Sequence, residues 1–107
     1  TDTFIKKDGS IVVPEYIIHM VGVVFYGNWL RKFQVIQEDY DFVKVLIVLN
    51  EKAENPFNKY KDKLDNITQN IKRVMGDDCK IEFEFVDNIE PSPSGKYRYI
   101  ISKVKQR

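Results

Sequence analysis

Histidine, cysteine and tryptophan are almost missing from this chain, with one of each among 107 residues. The single cysteine, Cys79, excludes an internal disulfide and fits a reducing cytoplasm. The single histidine, His19, has no cluster of cysteines and carboxylates at metal-ligand spacing around it, so no metal site is expected. An excess of charge of either sign is missing too. Lys plus Arg number 17 against 16 Asp plus Glu, a formal net charge of +1, which gives no general attraction to nucleic acid or to an acidic membrane. No apolar run approaches the roughly 18 residues of a membrane span, and no signal peptide opens the sequence. What remains is 43% hydrophobic and 31% charged, the balance of an ordinary soluble globular chain. Its length suits one domain with one modest core.

The chain begins at Thr1, without methionine, and runs at once into strand-like "TDTFIKK". It therefore reads as a fragment of a longer protein, its C-terminal domain. "TFIKKDGSIVV" has the pattern of a hairpin turning at Asp8-Gly9. Pro14 and Glu15 suit the start of a helix over "PEYIIHMVGVVFYGN", closed by Gly27-Asn28. "RKFQVIQE" and "DFVKVLIVLN" read as an antiparallel pair joined at Asp39-Tyr40. The second is apolar on both faces, as a central strand must be. Asn55 and Pro56 open a second helix, carried by Phe57, Tyr60, Leu64, Ile67, Ile71 and Val74 and ended by Gly76. "CKIEFEFVD" then alternates, with Cys79, Ile81, Phe83 and Phe85 on one face. The expected fold is α+β: a small mixed or antiparallel sheet with two helices on one face, in ferredoxin-like element order, preceded by a hairpin. The short "YRYIIS" segment is expected to hang off the last strand.

Several motifs fail on inspection. "SGKYR" lacks the upstream glycine, the succeeding Ser or Thr and the helix of a P-loop. The aromatic strand "EFEFVD" is flanked by acids and lacks the basic, glycine-containing pattern of an RNA-reading sheet. "NIT" at 66–68 matches a glycosylation sequon but lies mid-helix. His19 and Cys79 read as packing residues rather than reactive ones, and Asp77-Asp78 as a solvated turn. The stretch that asks for a function is "DNIEPSPSGKYRYIIS", residues 87–102. Pro91 and Pro93 restrict its backbone and Gly95 permits close approach to a partner. Lys96 then projects a mobile ammonium from a stiff arm, a device suited to an anionic ligand held by something else. The plain alternative is a surface loop tightened by prolines.

"P-S-P-S-G-K-Y-R", residues 91–98, resembles the C-terminal signature of adenylate-forming enzymes, in which a proline leads to Ser-Gly-Lys or Thr-Gly-Lys and then x-Arg. "FVDNIEPSPSGK" resembles the V-D-x-I lead-in of the same superfamily. "T-D-T-F-I" resembles the segment just after Gly-Arg at the junction of its two domains, with Thr3 where a second aspartate is common. "KKDGSIVVPEYI" and "KFQVIQED" look most like the capsular polysaccharide biosynthesis (CapK-like) and phenylacetate-CoA ligase branch. The missing Arg-Gly-x-Asn ahead of Pro14 favours the CapK-like group over the ligases.

The resemblance covers essentially the whole chain and implies a single C-terminal lid domain, 1–107, hinged at about 1–3. It implies that Lys96 is the catalytic lysine of acyl-adenylate formation, that Asp2 is the hinge residue, and that Pro91, Ser94, Gly95 and Arg98 support the lysine loop. ATP and Mg would be held mainly by an N-terminal adenylation domain of the same chain. The partner substrate would be a carboxylic acid, with coenzyme A an open acceptor and an oligomer an open state. Nucleic acid and membrane are not expected as partners, and the expected location is the cytoplasm. The competing class is a ferredoxin-like small-molecule-binding regulatory or protein-interaction module, in which Lys96 is incidental.

Overall fold

The structure, a computed structural model, describes residues 2–24, 28–95 and 98–104. Its elements run β1 (Phe4–Ile5), β2 (Ile11–Val12), α1 (Pro14–Val24), β3 (Leu30–Asp39), β4 (Phe42–Leu49), α2 (Pro56–Lys59), α3 (Lys61–Met75), β5 (Lys80–Phe85) and β6 (Ile100–Ser102). The fold is α+β.

The hairpin forms where Asp8-Gly9 demands a turn. Gly9 takes φ +87°, a left-handed value that glycine adopts without steric cost. Its amide donates to the Lys6 carbonyl, and the Lys6 amide donates to the Ser10 carbonyl. The Asp8 carboxylate accepts from both the amide and the hydroxyl of Ser10, at 2.9 and 2.6 Å, and these bonds hold its carboxyl below its ordinary value.

β1 and β2 make a separate two-stranded sheet, while the main sheet has the order β5-β4-β3-β6. β3 and β4 are antiparallel, as their short connection dictates. β5 lies parallel to β4 after the α3 crossover, and β6 lies parallel to β3, so the sheet is mixed. β4 is central, in keeping with its apolar residues on both faces. The "YRYIIS" segment does more than hang from the preceding strand: Ile100–Ser102 becomes a strand of the main sheet, in register with 35–37.

One face carries the core. Val35 stands opposite Val45 and Ile100, and Val43, Val45 and Ile47 stand opposite Ile81, Phe83 and Phe85. Ile17 of α1 and Leu64, Ile67, Ile71 and Met75 of α3 close over this face, joined by Phe4 and Val12 of the hairpin. Full burial of a Val or Ile side chain contributes about 1.5–3 kcal/mol, and Val35, Val43, Val45, Ile47, Ile67 and Ile100 are all at 0% exposure.

The second helix is interrupted. Pro56 opens it and the Asn55 side chain accepts from the Asn58 amide, but Tyr60 leaves helical geometry, with φ −109° and ψ 21°. Its ring packs against Trp29, centroids 4.9 Å apart, and the helix resumes at Lys61. Phe57 therefore belongs to a separate short turn and is half exposed, while Gly76, at φ +110°, ends α3. The Phe25 and Gly27 parts of the first-helix expectation lie outside the described residues.

Gln37 joins the two sheets. It sits on the core face of β3 at 0% exposure. Its Nε2 donates to the Ile5 carbonyl at 2.6 Å, and its Oε1 accepts from the Ile5 amide at 3.1 Å and from the Ser102 hydroxyl at 2.7 Å. Each buried polar group left without a partner costs about 1–3 kcal/mol. Gln37→Leu should therefore destabilise the domain by about 3 kcal/mol in denaturant unfolding, and Ser102→Ala by about 1 kcal/mol. A Gln37→Leu domain as stable as the parent would show that the hairpin is held by packing alone.

Candidate active-site loop

The connection from β5 to β6 is the proline-serine loop, and both of its stems rest on β3. Val86 continues the β5 pairing by donating to the Ile47 carbonyl at 2.9 Å. The first stem is then held by Arg31, which donates to the Asp87 carbonyl at 3.3 Å, and by Lys32, which donates to Asn88 Oδ1 at 3.2 Å. Ile89 anchors it by burial. The second stem is held by Gln34, which is also buried, through a 2.8 Å bond from Nε2 to the Arg98 carbonyl. The Val35 amide donates to the Tyr99 carbonyl at 2.7 Å, and the rings of Phe33 and Tyr99 pack 5.2 Å apart.

Between the stems, residues 92–95 form a tight turn in which the Gly95 amide donates to the Ser92 carbonyl at 2.8 Å. Pro93 stands second in it and Gly95 fourth, the positions that such turns favour. Gly95 takes φ +83°, so a larger residue there is strained by its backbone even though the space around it is open. The hydroxyls of Ser92 and Ser94 lie 2.9 Å apart and brace the turn. Pro91 precedes it. Lys96, the expected catalytic residue, lies outside the described residues, as does Tyr97.

Asp2 and Arg98 meet, although 96 positions separate them. Arg98 Nη2 donates to Asp2 Oδ1 at 2.5 Å, and the other carboxylate oxygen accepts from the Ser102 amide at 2.8 Å. The Asp2 amide donates to the Ile100 carbonyl at 3.3 Å. The residue assigned to the hinge and the arginine of the loop motif thus share one ion pair. Sequence reasoning missed Gln34 and Gln37, the two polar side chains that hold the loop stem and the hairpin. Their one signal is placement: both are glutamines inside the apolar run of β3, three positions apart and so on opposite faces of the strand.

The other candidates remain outside this arrangement. His19 is exposed beside Val13 and Tyr16, where a shallow hollow opens on the surface. Together with Ile11, these residues make the apolar part of the described surface around the start of α1. An open cleft of about 610 Å³ lies at the carboxyl ends of β4 and β5, with Arg31, Lys52, Val48 and Phe85 among its lining. Among the described residues no three His, Cys, Asp or Glu side chains gather where they could hold a metal ion. No helix among them is long and apolar enough to cross a membrane.

The family model for the CapK C-terminal domain matches residues 4–103. The chain belongs to that family. The match includes the whole proline-serine loop, Lys96 and Arg98, and stops short of Asp2. No curated protein sequence matches the chain.

Cys79 is buried, and burial first, with the nearby Asp41 charge second, raises its thiol above the ordinary value. The reactive form is the thiolate. Cys79 should therefore resist a disulfide reagent at neutral pH in the folded domain and react at once on denaturation. Stoichiometric labelling of the native protein within seconds would show that the loop ahead of β5 opens readily.

Proposed function

We propose that this CapK C-terminal domain is the lid of a carboxylate-activating, adenylate-forming ligase and that its loop brings Lys96 to the reacting phosphate. The observation that carries the reading is the loop's construction. Two stems are pinned to one strand, a proline-initiated turn stands between them, and a left-handed Gly95 immediately precedes the lysine. Such a loop delivers a cation without building a pocket of its own. In this reading ATP, magnesium and the carboxylic acid are held mainly by an N-terminal domain of the same protein, as the family resemblance implies.

In the reaction, a carboxylate oxygen attacks the α-phosphorus of ATP as the bond to the departing pyrophosphate breaks. Negative charge concentrates on the phosphoryl oxygens in a site closed to bulk water. An ammonium held at that place stabilises the transition state more than the ground state, which is what accelerates the step. The acyl-adenylate then passes its acyl group to an acceptor, with coenzyme A, an amine and a hydroxyl all compatible with this domain. Capsular polysaccharide biosynthesis is the matching context, in the cytoplasm.

A second reading, a small-molecule-binding regulatory module, draws on the open cleft beside Arg31 and Lys52. The two differ in what Lys96 does. In the full-length enzyme, Lys96→Ala should slow carboxylate-dependent ATP–pyrophosphate exchange at least ~10²-fold, the usual loss for one preorganised transition-state contact. Stability should barely change, since none of the described core or stem contacts involves Lys96. Transfer from supplied acyl-adenylate should be nearly normal. Unchanged exchange, or equal loss in both half-reactions, would remove the assignment.

The 107-residue chain alone should bind ATP more weakly than about 10 μM by calorimetry. That affinity corresponds to roughly −7 kcal/mol, more than one ammonium on a loop supplies. Tighter binding would move the nucleotide site into this domain and favour the second reading.

A further inference from the structure

We propose that the outer edge of β5 is a self-association surface, whatever the role of Lys96. A second copy of this chain adds its own β5 there, antiparallel, with Glu82 on the two-fold axis.

β5 ends the sheet order, so one side of it pairs with β4 and the other faces away from the sheet. The Lys80 amide donates to the Asp41 carbonyl and the Val86 amide to the Ile47 carbonyl, and the register between them has no shift. Alternation therefore turns the backbone groups of residues 80, 82, 84 and 86 toward β4. Those of Ile81, Phe83 and Phe85 point outward along the edge. Among the described residues no strand takes them up.

Such an edge is ordinarily blunted by a proline, a bulge, an inward charge or extreme shortness. β5 has none of these. It is six residues long, contains no proline, and pairs with β4 from Lys80 to Phe85 without a bulge. Its core-face side chains are Ile81, Phe83 and Phe85, which pack against the core yet stay only partly buried. Phe57, 53% exposed, stands edge-on to Phe85 at 5.0 Å and extends this apolar row. A strand laid alongside would cover the row and satisfy the outward backbone groups together.

Symmetry and charge then fix the occupant and its register. Closed pairing of two identical strands needs a two-fold axis, which makes them antiparallel. Because the outward groups belong to odd-numbered residues, odd must stand opposite odd and even opposite even. Centring on Glu82 sets Ile81 of one copy opposite Phe83 of the other, and Lys80 opposite Glu84, each twice. One like-charged pair, Glu82 on Glu82, remains at the axis. Centring on Phe83 sets Glu82 against Glu84 twice and leaves Lys80 opposite Val86. Centring on Ile81 gains Lys80 opposite Glu82 but sets Glu84 against Asp78, again twice each. Opposite charges across a strand pair stabilise it and like charges destabilise it, so the Glu82-centred register wins. Its charges are accessible, the side chains of Lys80 and Glu84 being 73% and 50% exposed. One added strand pair makes a small interface, and small interfaces give weak, reversible dimers.

The test is sedimentation velocity of the 107-residue chain, which has one complete core of its own, between about 10 μM and about 1 mM. Amide hydrogen exchange is followed at both ends of that range. The chain should pass from monomer to dimer, and the Ile81 and Phe83 amides should gain protection as it does. Those of Glu82 and Glu84, already turned to β4, should not change. Lys80→Glu and Glu84→Lys should each weaken association about tenfold, since each sets like charges opposite one another. Their equimolar mixture should associate like the parent, because each variant then meets its opposite. Glu82→Gln should tighten the dimer. A chain that stays monomeric throughout overturns the proposal. So does a dimer whose Ile81 and Phe83 amides remain unprotected, or one that Lys80→Glu leaves unchanged. A dimer strengthened by Glu84→Lys overturns the Glu82-centred register.

Discussion

A buried amide has to be satisfied on both its sides, and at Gln37 that requirement organises the domain. Its carbonyl oxygen and its NH2 group can be partnered inside the core only if a backbone pair and a hydroxyl come to it. Ile5 supplies the pair and Ser102 the hydroxyl. Meeting this demand draws the N-terminal hairpin over the core face, seats Phe4 among the sheet and helix residues, and sets β6 against β3. Once Ile5 and Ser102 are fixed, Asp2 is carried to within reach of β6 and Arg98.

The consequence for the candidate site is that β3 serves it from both faces. Gln37 acts on the core side, while Lys32 and Gln34 act on the opposite side, where they hold the two stems of the loop. The strand's hydrogen-bonding edge adds the Val35 amide. A loop of this length would ordinarily be a mobile surface feature. Here both of its ends are tied to one strand of the sheet.

Much of this architecture was legible in the amino-acid order wherever the signal was local. Asp8-Gly9 marked the hairpin, Asn55-Pro56 and Gly76 bounded the second helical region, and the apolar run of 43–49 marked a central strand. The break at Tyr60 was not legible, because the ring that Tyr60 packs against, Trp29, is more than thirty positions away. The three residues of β6 were too few to show a period, and their strand exists through pairing with 35–37. At the candidate site, Pro91, Ser94 and Gly95 stood out by type and Arg98 by its place in the motif. The partner of Arg98 did not, because no spacing rule links residue 98 to residue 2. Gln34 and Gln37 look like ordinary strand polar residues until their distant partners are in view.

The stitching of the first residues to the last strand also governs when the domain can form. Phe4 and Ile5 leave the ribosome ahead of the rest of the domain, yet the hydroxyl that completes their anchor belongs to Ser102. Until that residue has been synthesised and released from the exit tunnel, the carbonyl oxygen of Gln37 lacks its second donor and β3 has an open edge along 35–37. The helices and the β3–β4 hairpin, built on nearer neighbours, are free to assemble first. Closure waits for β6 to emerge, so a nascent chain stopped before it carries an unpaired strand edge of the kind that chaperones recognise and aggregates exploit.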